Sequence, residues 1–144
     1  MAVQLFDTWA GLLGRDDYRR FALPYQQAVF DSIKDSGAPS ILYVNGGSHL
    51  LEEMSSSGAG VLSIDWRSSL GEVRELLGKE KGLQGNLDPS CLFAEPAEVA
   101  RKANRILDEM AGDEGFIFNL GHGVLPGTPV DSVRALVEAV QSRD

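Results

Sequence analysis

The sequence predicts an α/β fold built on a parallel sheet. Five short apolar segments alternate with helical patterns along 144 residues. Two of these segments, Ile41 to Val44 and the run holding Val61, Leu62 and Ile64, are nearly continuous apolar stretches. Parallel strands covered by helices read this way. Polar residues follow each segment: Asp7 and Thr8 the first, Asn45 the second, Asp65 and Trp66 the third, Asn86 and Asp88 the fourth, His122 the fifth. Both common parallel architectures, the open doubly wound sheet and the (β/α)8 barrel, keep their functional groups at the carboxyl ends of strands. Either fits the pattern; a complete barrel takes about 250 residues, so of a barrel this chain could hold only part. Asp, Asn and Gly also start helices and turns, so some of these polar positions serve as caps.

The strand segments are residues 2–6 (AVQLF), 40–45 (SILYVN), 60–65 (GVLSID), 82–86 (GLQGN) and 115–120 (GFIFNL). Between the first two, Pro24 suits the first turn of a helix running to about Ser36, preceded by a shorter one and stopped by Gly37. Residues 48–56 predict a short helix capped by Ser48. Residues 69–77 carry Leu70, Val73, Leu76 and Leu77 at helical spacing. Pro96 opens a longer helix with Val99, Ala103, Ile106, Leu107 and Met110 on one stripe. The last helix has Thr128 as its cap, Pro129 in first position and Asp131 in the first turn, with Val130, Val133, Leu136, Val137 and Val140 as its apolar face. No linker or short repeat interrupts the order, so residues 1–144 read as one domain.

Composition narrows the function. With 43% hydrophobic and 24% charged residues the chain has the make-up of an ordinary soluble domain. No apolar run approaches the roughly 18 residues of a membrane span. The first residues, MAVQLFDTWAG, lack the basic region of a signal peptide. The single cysteine, Cys91, permits neither an internal disulfide nor a Cys-rich metal site, and a reducing cytoplasm is the simplest compartment. A net charge of −8 argues against a nucleic-acid surface and makes the chain alone a poor receptor for a polyanion. The apolar residues Val3, Leu5 and Phe6 come almost directly after Met1, which reads as a chain cut into the middle of a fold.

Individual motifs divide between chemistry and structure. The glycines around His122 serve either a tight turn or the close approach of a ligand. The NGG at 45–47 precedes a helix, but it lacks both the GxGxxG pattern and a Walker lysine, so turn chemistry is its default reading. Asp7 and Asp65 would make an acid–base pair if they met. The favoured reading of Asp65, next to Trp66 and Arg67, is a buried hydrogen-bonded structural carboxylate. Cys91 in LDPSCLF reads as a small buried hydrophobe rather than a nucleophile. His49 reads as an exposed first-turn residue and the KEK at 79–81 as a solvated turn.

Taken in order, AVQLFDTWAG (2–11), FALPY (21–25), VLSIDWR (61–67), QGNLDP (84–89) and FNLGHGVLPGTP (118–129) resemble the C-terminal part of the uroporphyrinogen decarboxylase family, beginning at its fourth barrel strand. The resemblance covers the whole chain. It implies the C-terminal five βα units of a (β/α)8 barrel. It also implies a cytoplasmic, homodimeric lyase of haem and chlorophyll biosynthesis, which decarboxylates the four acetate side chains of uroporphyrinogen III without metal or organic cofactor. On this basis His122 matches a substrate-contacting histidine, Thr8 stands where the family usually has a serine that binds substrate, and Phe6 matches an apolar wall of the cleft. The family's catalytic aspartate, substrate-binding arginines and active-site tyrosine belong to earlier strands, so no catalytic residue is expected in this portion. The missing N-terminal portion becomes the expected partner, and the acidic balance of the chain follows from the absence of those arginines. The rival reading is a non-catalytic module that binds tetrapyrroles or partners the full enzyme.

A related branch uses zinc to activate a thiol for methyl transfer, with an H-x-C on the strand that reads ILYVNGG here. The sequence places Leu42 and Val44 at those positions, and neither binds zinc. The branch's second cysteine falls near the turn that holds His122. The uncovered side of the expected sheet is taken to be apolar.

Overall fold

The computed structural model describes residues 2–143. Five parallel strands, β1 (Val3–Phe6), β2 (Ser40–Tyr43), β3 (Val61–Ser63), β4 (Gly82–Leu87) and β5 (Phe116–Leu120), form one sheet in sequence order. Six α-helices accompany them: α1 (Arg15–Phe21), α2 (Leu23–Ile33), α3 (Leu51–Ser55), α4 (Leu70–Leu77), α5 (Pro96–Glu109) and α6 (Val130–Gln141). Each strand pairs with the next in chain order, as in a barrel wall; a doubly wound sheet reverses its strand order partway.

Alternation along each strand sorts the side chains. Leu42, Leu62 and Leu83 are fully buried and pack with Val44 and Ile64 under Tyr18, Phe30, Met54, Leu70 and Val73 of the helical layer. Fully burying a leucine contributes roughly 1.5–3 kcal/mol, so this interface is the main source of stability. A second cluster, Leu87, Leu92, Val99, Ala103 and Leu136, joins α5 and α6 to the end of the sheet. The other parity of the strands faces away from the helices. It carries Gln4 and Phe6 on β1, Tyr43 on β2, Ser63 on β3, Gln84 on β4 and Ile117 and Asn119 on β5, in matching register. This face mixes polar and apolar groups, which corrects the expectation of an apolar one. Gln84 Nε2 donates to Ser63 Oγ at 3.0 Å, and Gln4 Oε1 lies 3.4 Å away from the same nitrogen. The sheet is therefore curled with this face inside.

Several local expectations need correction. The segment 48–56 divides into a 3-10 turn, Ser48–Leu50, and the short α3. Its first turn starts from Gly47, with no side-chain cap. Thr128 does not cap α6: its hydroxyl donates to the Leu125 carbonyl, and Pro129 holds the cap position. Leu76 in α4 and Val130 and Val137 in α6 are exposed, whereas Ser132 and Ala139 are buried. Helical spacing gives the width of an apolar stripe, not the direction of the sheet beneath it. Ser69, which the sequence reading did not single out, caps α4 by accepting from the Glu72 N–H, and Gly37 ends the α2 region as expected, with φ of 70°. Of the α5 stripe, Val99, Ala103 and Met110 are buried and Ile106 and Leu107 half-buried.

Candidate active site

The strands deliver their C-terminal ends to one rim, and the rim is tied together through Asp65. This carboxylate is 3% exposed. It accepts from the Gly46 N–H, from the Arg67 N–H at 2.9 Å and from the Arg67 guanidinium at 3.0 Å. The NGG turn does hold an anion, but the anion is this chain's own Asp65. Arg67 also donates to Asn45 Oδ1 at 3.0 Å and lies over the Trp66 ring at 4.1 Å. Asn86 donates to the Asp65 and Ser68 carbonyls, and Asp88 caps the 3-10 turn at Pro89–Phe93 through the Ser90 N–H. Most of the polar residues that follow β2, β3 and β4 are thus structural. Asp7 goes elsewhere: it accepts from Gln26 Nε2 at 2.9 Å, and Gln26 in turn accepts from the buried Tyr18 hydroxyl at 2.6 Å. The two carboxylates have separate partners and make no acid–base pair.

A cavity of about 220 Å³ opens inside this rim, lined by Gln4, Phe6, Thr8, Tyr43, Ser63, Asn119, Leu120, His122 and Gly123. Phe6 and Thr8 reach it from the end of β1, His122 from the turn after β5. The three residues that the family resemblance singled out therefore line one cavity. The glycines beside His122 have different tasks. A Cβ on Gly121 would lie 2.6 Å from the Trp66 nitrogen, so close backbone approach to the β3 loop demands glycine there; a Cβ on Gly123 would meet nothing within 4 Å.

Tyr43 links the two ends of the cavity. Its ring meets Phe6 at 5.7 Å between centroids and His122 edge-on at 5.9 Å. Its hydroxyl donates to the Gly121 carbonyl at 2.9 Å. Burial, with the Asp65 carboxylate nearby, pushes the Tyr43 hydroxyl up to about 12, so it stays a donor. Sequence reading missed Tyr43, Gln4, Ser63 and Asn119 as cavity residues. The available signal was parity: in four strands a polar or hydroxyl-bearing side chain breaks an apolar run at the inward register. The same parity corrects the zinc comparison. Leu42 and Val44 point into the helical core, and the inward positions of β2 are Ile41 and Tyr43. No cluster of three or more His, Cys, Asp or Glu suited to a metal occurs among the described residues. Cys91 is buried and burial raises its thiol, in keeping with a packing role.

A curled parallel sheet, helices outside it and a cavity at the carboxyl ends of the strands define part of a (β/α)8-barrel enzyme fold. A solved methyltransferase from Methanosarcina mazei shares that fold, with a TM-score of 0.83 at 24% identity over 99% of this chain and 42% of its own. The family model for uroporphyrinogen decarboxylase (URO-D) matches residues 1–143, and the chain belongs to that family. It is 46% identical to a uroporphyrinogen decarboxylase of Gloeobacter violaceus over 145 residues and 50% identical to one of Nocardia farcinica over 144. The match covers 98% and 96% of this chain and 41% of each relative, so the chain spans about two fifths of their length.

Proposed function

We propose that this chain forms the C-terminal substrate-holding wall of a uroporphyrinogen decarboxylase, a cofactor-free carboxy-lyase of cytoplasmic haem and chlorophyll biosynthesis. The supporting observation is that Phe6, Thr8 and His122, which match the family's substrate contacts, line one cavity at the carboxyl ends of the strands. Phe6 offers a ring face to a pyrrole, Thr8 a hydroxyl and His122 an imidazole to its carboxylate side chains.

The reaction replaces a pyrrole acetate by a methyl group. A proton added to the ring carbon places positive charge on the pyrrole. The bond from the methylene to the carboxylate then breaks, carbon dioxide leaves, and the electron pair neutralises the ring. A second proton completes the methyl group and the ring proton is returned. This sequence calls for a fixed carboxylate near the pyrrole nitrogens and for cations on the remaining carboxylates. Among the described residues, the cavity wall contains no carboxylate, lysine or arginine. Those groups come from the N-terminal portion of the enzyme, which is the partner proposed for this chain, and the completed barrel works as a homodimer. A non-catalytic tetrapyrrole-binding module would show the same lack of charge; turnover in the completed enzyme separates the two. The test is substitution there. His122→Asn and Thr8→Val lower turnover beyond any loss of stability, and unchanged kinetics in both would refute the reading.

A further inference from the structure

The two ring nitrogens of His122 have different surroundings. The Gly123 N–H donates to Nδ1 at 2.7 Å. A ring nitrogen accepts only when it carries no hydrogen, so the neutral imidazole in this arrangement holds its hydrogen on Nε2. Nε2 makes no hydrogen bond among the described residues, and the ring lines the cavity. The turn that creates this arrangement is anchored at Gly121 on both sides: its N–H donates to the Leu87 carbonyl at 2.8 Å, and its carbonyl accepts from the Tyr43 hydroxyl, 78 residues away in sequence. Tyr43 is 4% exposed, and its ring also braces the imidazole edge-on, at 75° between the planes.

We infer that Tyr43 is a positioning residue. Through the Gly121 carbonyl it holds the 121–123 turn in which His122 is locked as the Nε2–H tautomer, a hydrogen-bond donor aimed at an oxygen anion in the cavity. With Nδ1 accepting from the backbone and Nε2 carrying hydrogen, neither nitrogen is free to take a proton from substrate. His122 therefore grips a carboxylate and does not act as the general base. The identity of that anion, a side-chain carboxylate of the porphyrinogen, rests on the proposed function; the tautomer and its dependence on Tyr43 do not.

The experiment is magic-angle-spinning NMR of the 1–144 chain labelled with nitrogen-15 at histidine, which reads tautomers in oligomers and sediments as well as in monomers. His49→Gln leaves one imidazole to observe. The pH is set about two units above the ordinary imidazole pKa. Expected is a single pattern with Nε2 protonated and Nδ1 accepting, turning into a mixture of tautomers in Tyr43→Phe, which keeps the ring and loses the hydroxyl. An Nδ1–H pattern or a mixture in the unaltered chain would overturn the assignment without recourse to any variant. A pure Nε2–H pattern that persists in Tyr43→Phe would remove Tyr43 from the role. Since no turnover is measured, the result is independent of whether the cavity proves to be a decarboxylase site.

Discussion

Gln84 Nε2 on β4 lies 3.4 Å from Gln4 Oε1 on β1, although two strands separate them in the sheet. Only a strongly curled sheet brings these side chains together. The curl makes the inner face concave, and it leaves β1 and β5 each with one sheet neighbour.

Unpaired strand edges invite association. Phe6 beside one edge and Ile117 on the other are 65% and 44% exposed, which adds apolar surface at both. The 1–144 chain in isolation is expected to self-associate as its concentration rises, seen by light scattering. A stable monomer at high concentration would show that the edges are self-sufficient.

Gly121 and Gly123 look equivalent in sequence and are not equivalent in space. Gly121→Ala forces a Cβ against the β3-loop backbone and is expected to lower stability by about 1–3 kcal/mol, the range for overpacking. Gly123→Ala has open space and stays within about 0.5 kcal/mol, as surface changes do. Urea midpoints at one protein concentration read both. Equal effects would mean that the close approach to Trp66 is wrong.

Asp65 and Arg67 form an ion pair with unequal partners, the carboxylate buried and the guanidinium side chain 47% exposed. Asp65→Ala strands the Gly46 and Arg67 N–H groups and is expected to cost about 3 kcal/mol. Arg67→Ala removes a solvent-screened partner and costs less than about 1 kcal/mol. The reverse order would make the guanidinium, rather than the two backbone donors, the main ligand of Asp65.

Alkaline pH probes two buried hydroxyls. Burial is the first cause that raises Tyr18 and Tyr43 from 10.0 to about 12. Between those values the unfolded chain loses the protons and the folded chain keeps them. Stability is therefore complete below about pH 10 and falls as pH rises toward 12, by roughly 1 kcal/mol per pH unit for each tyrosine. Replacing either by Phe reduces the slope. A flat profile from pH 9 to about 11.5 would show that the hydroxyls ionise in place.

Strand existence was legible in the sequence, because continuous apolar runs mark strands covered by helices, whereas strand order was not, since a doubly wound sheet and a barrel wall share those runs and only the family resemblance pointed to the barrel. Strand ends were displaced by one or two residues where polar rim groups such as Asn45 and Asp65 follow the ladder. Phe6, Thr8 and His122 were reached by family resemblance, whereas Asp65 was reached by chemistry alone, as a carboxylate beside Trp66 and Arg67. Tyr43 stayed hidden because ILYV reads as uniform core, and only the strand register shows that its second and fourth residues face the helices while Tyr43 faces the cavity. The α6 cap was misread because Thr128 and Pro129 satisfy the sequence rule in either register, and the Leu125 carbonyl decides between them.

The most direct measurement is reconstitution. The 1–144 chain, a polypeptide carrying the family's preceding strands, and their mixture are each incubated with uroporphyrinogen III under anaerobic conditions, and the products are separated by chromatography. Coproporphyrinogen III is expected from the mixture alone, since among the described residues the cavity wall holds neither the carboxylate nor the cations that the proposed reaction needs. Coproporphyrinogen III formed by 1–144 alone would contradict this division of labour and return Asp7 and Asp65 to consideration as catalytic groups.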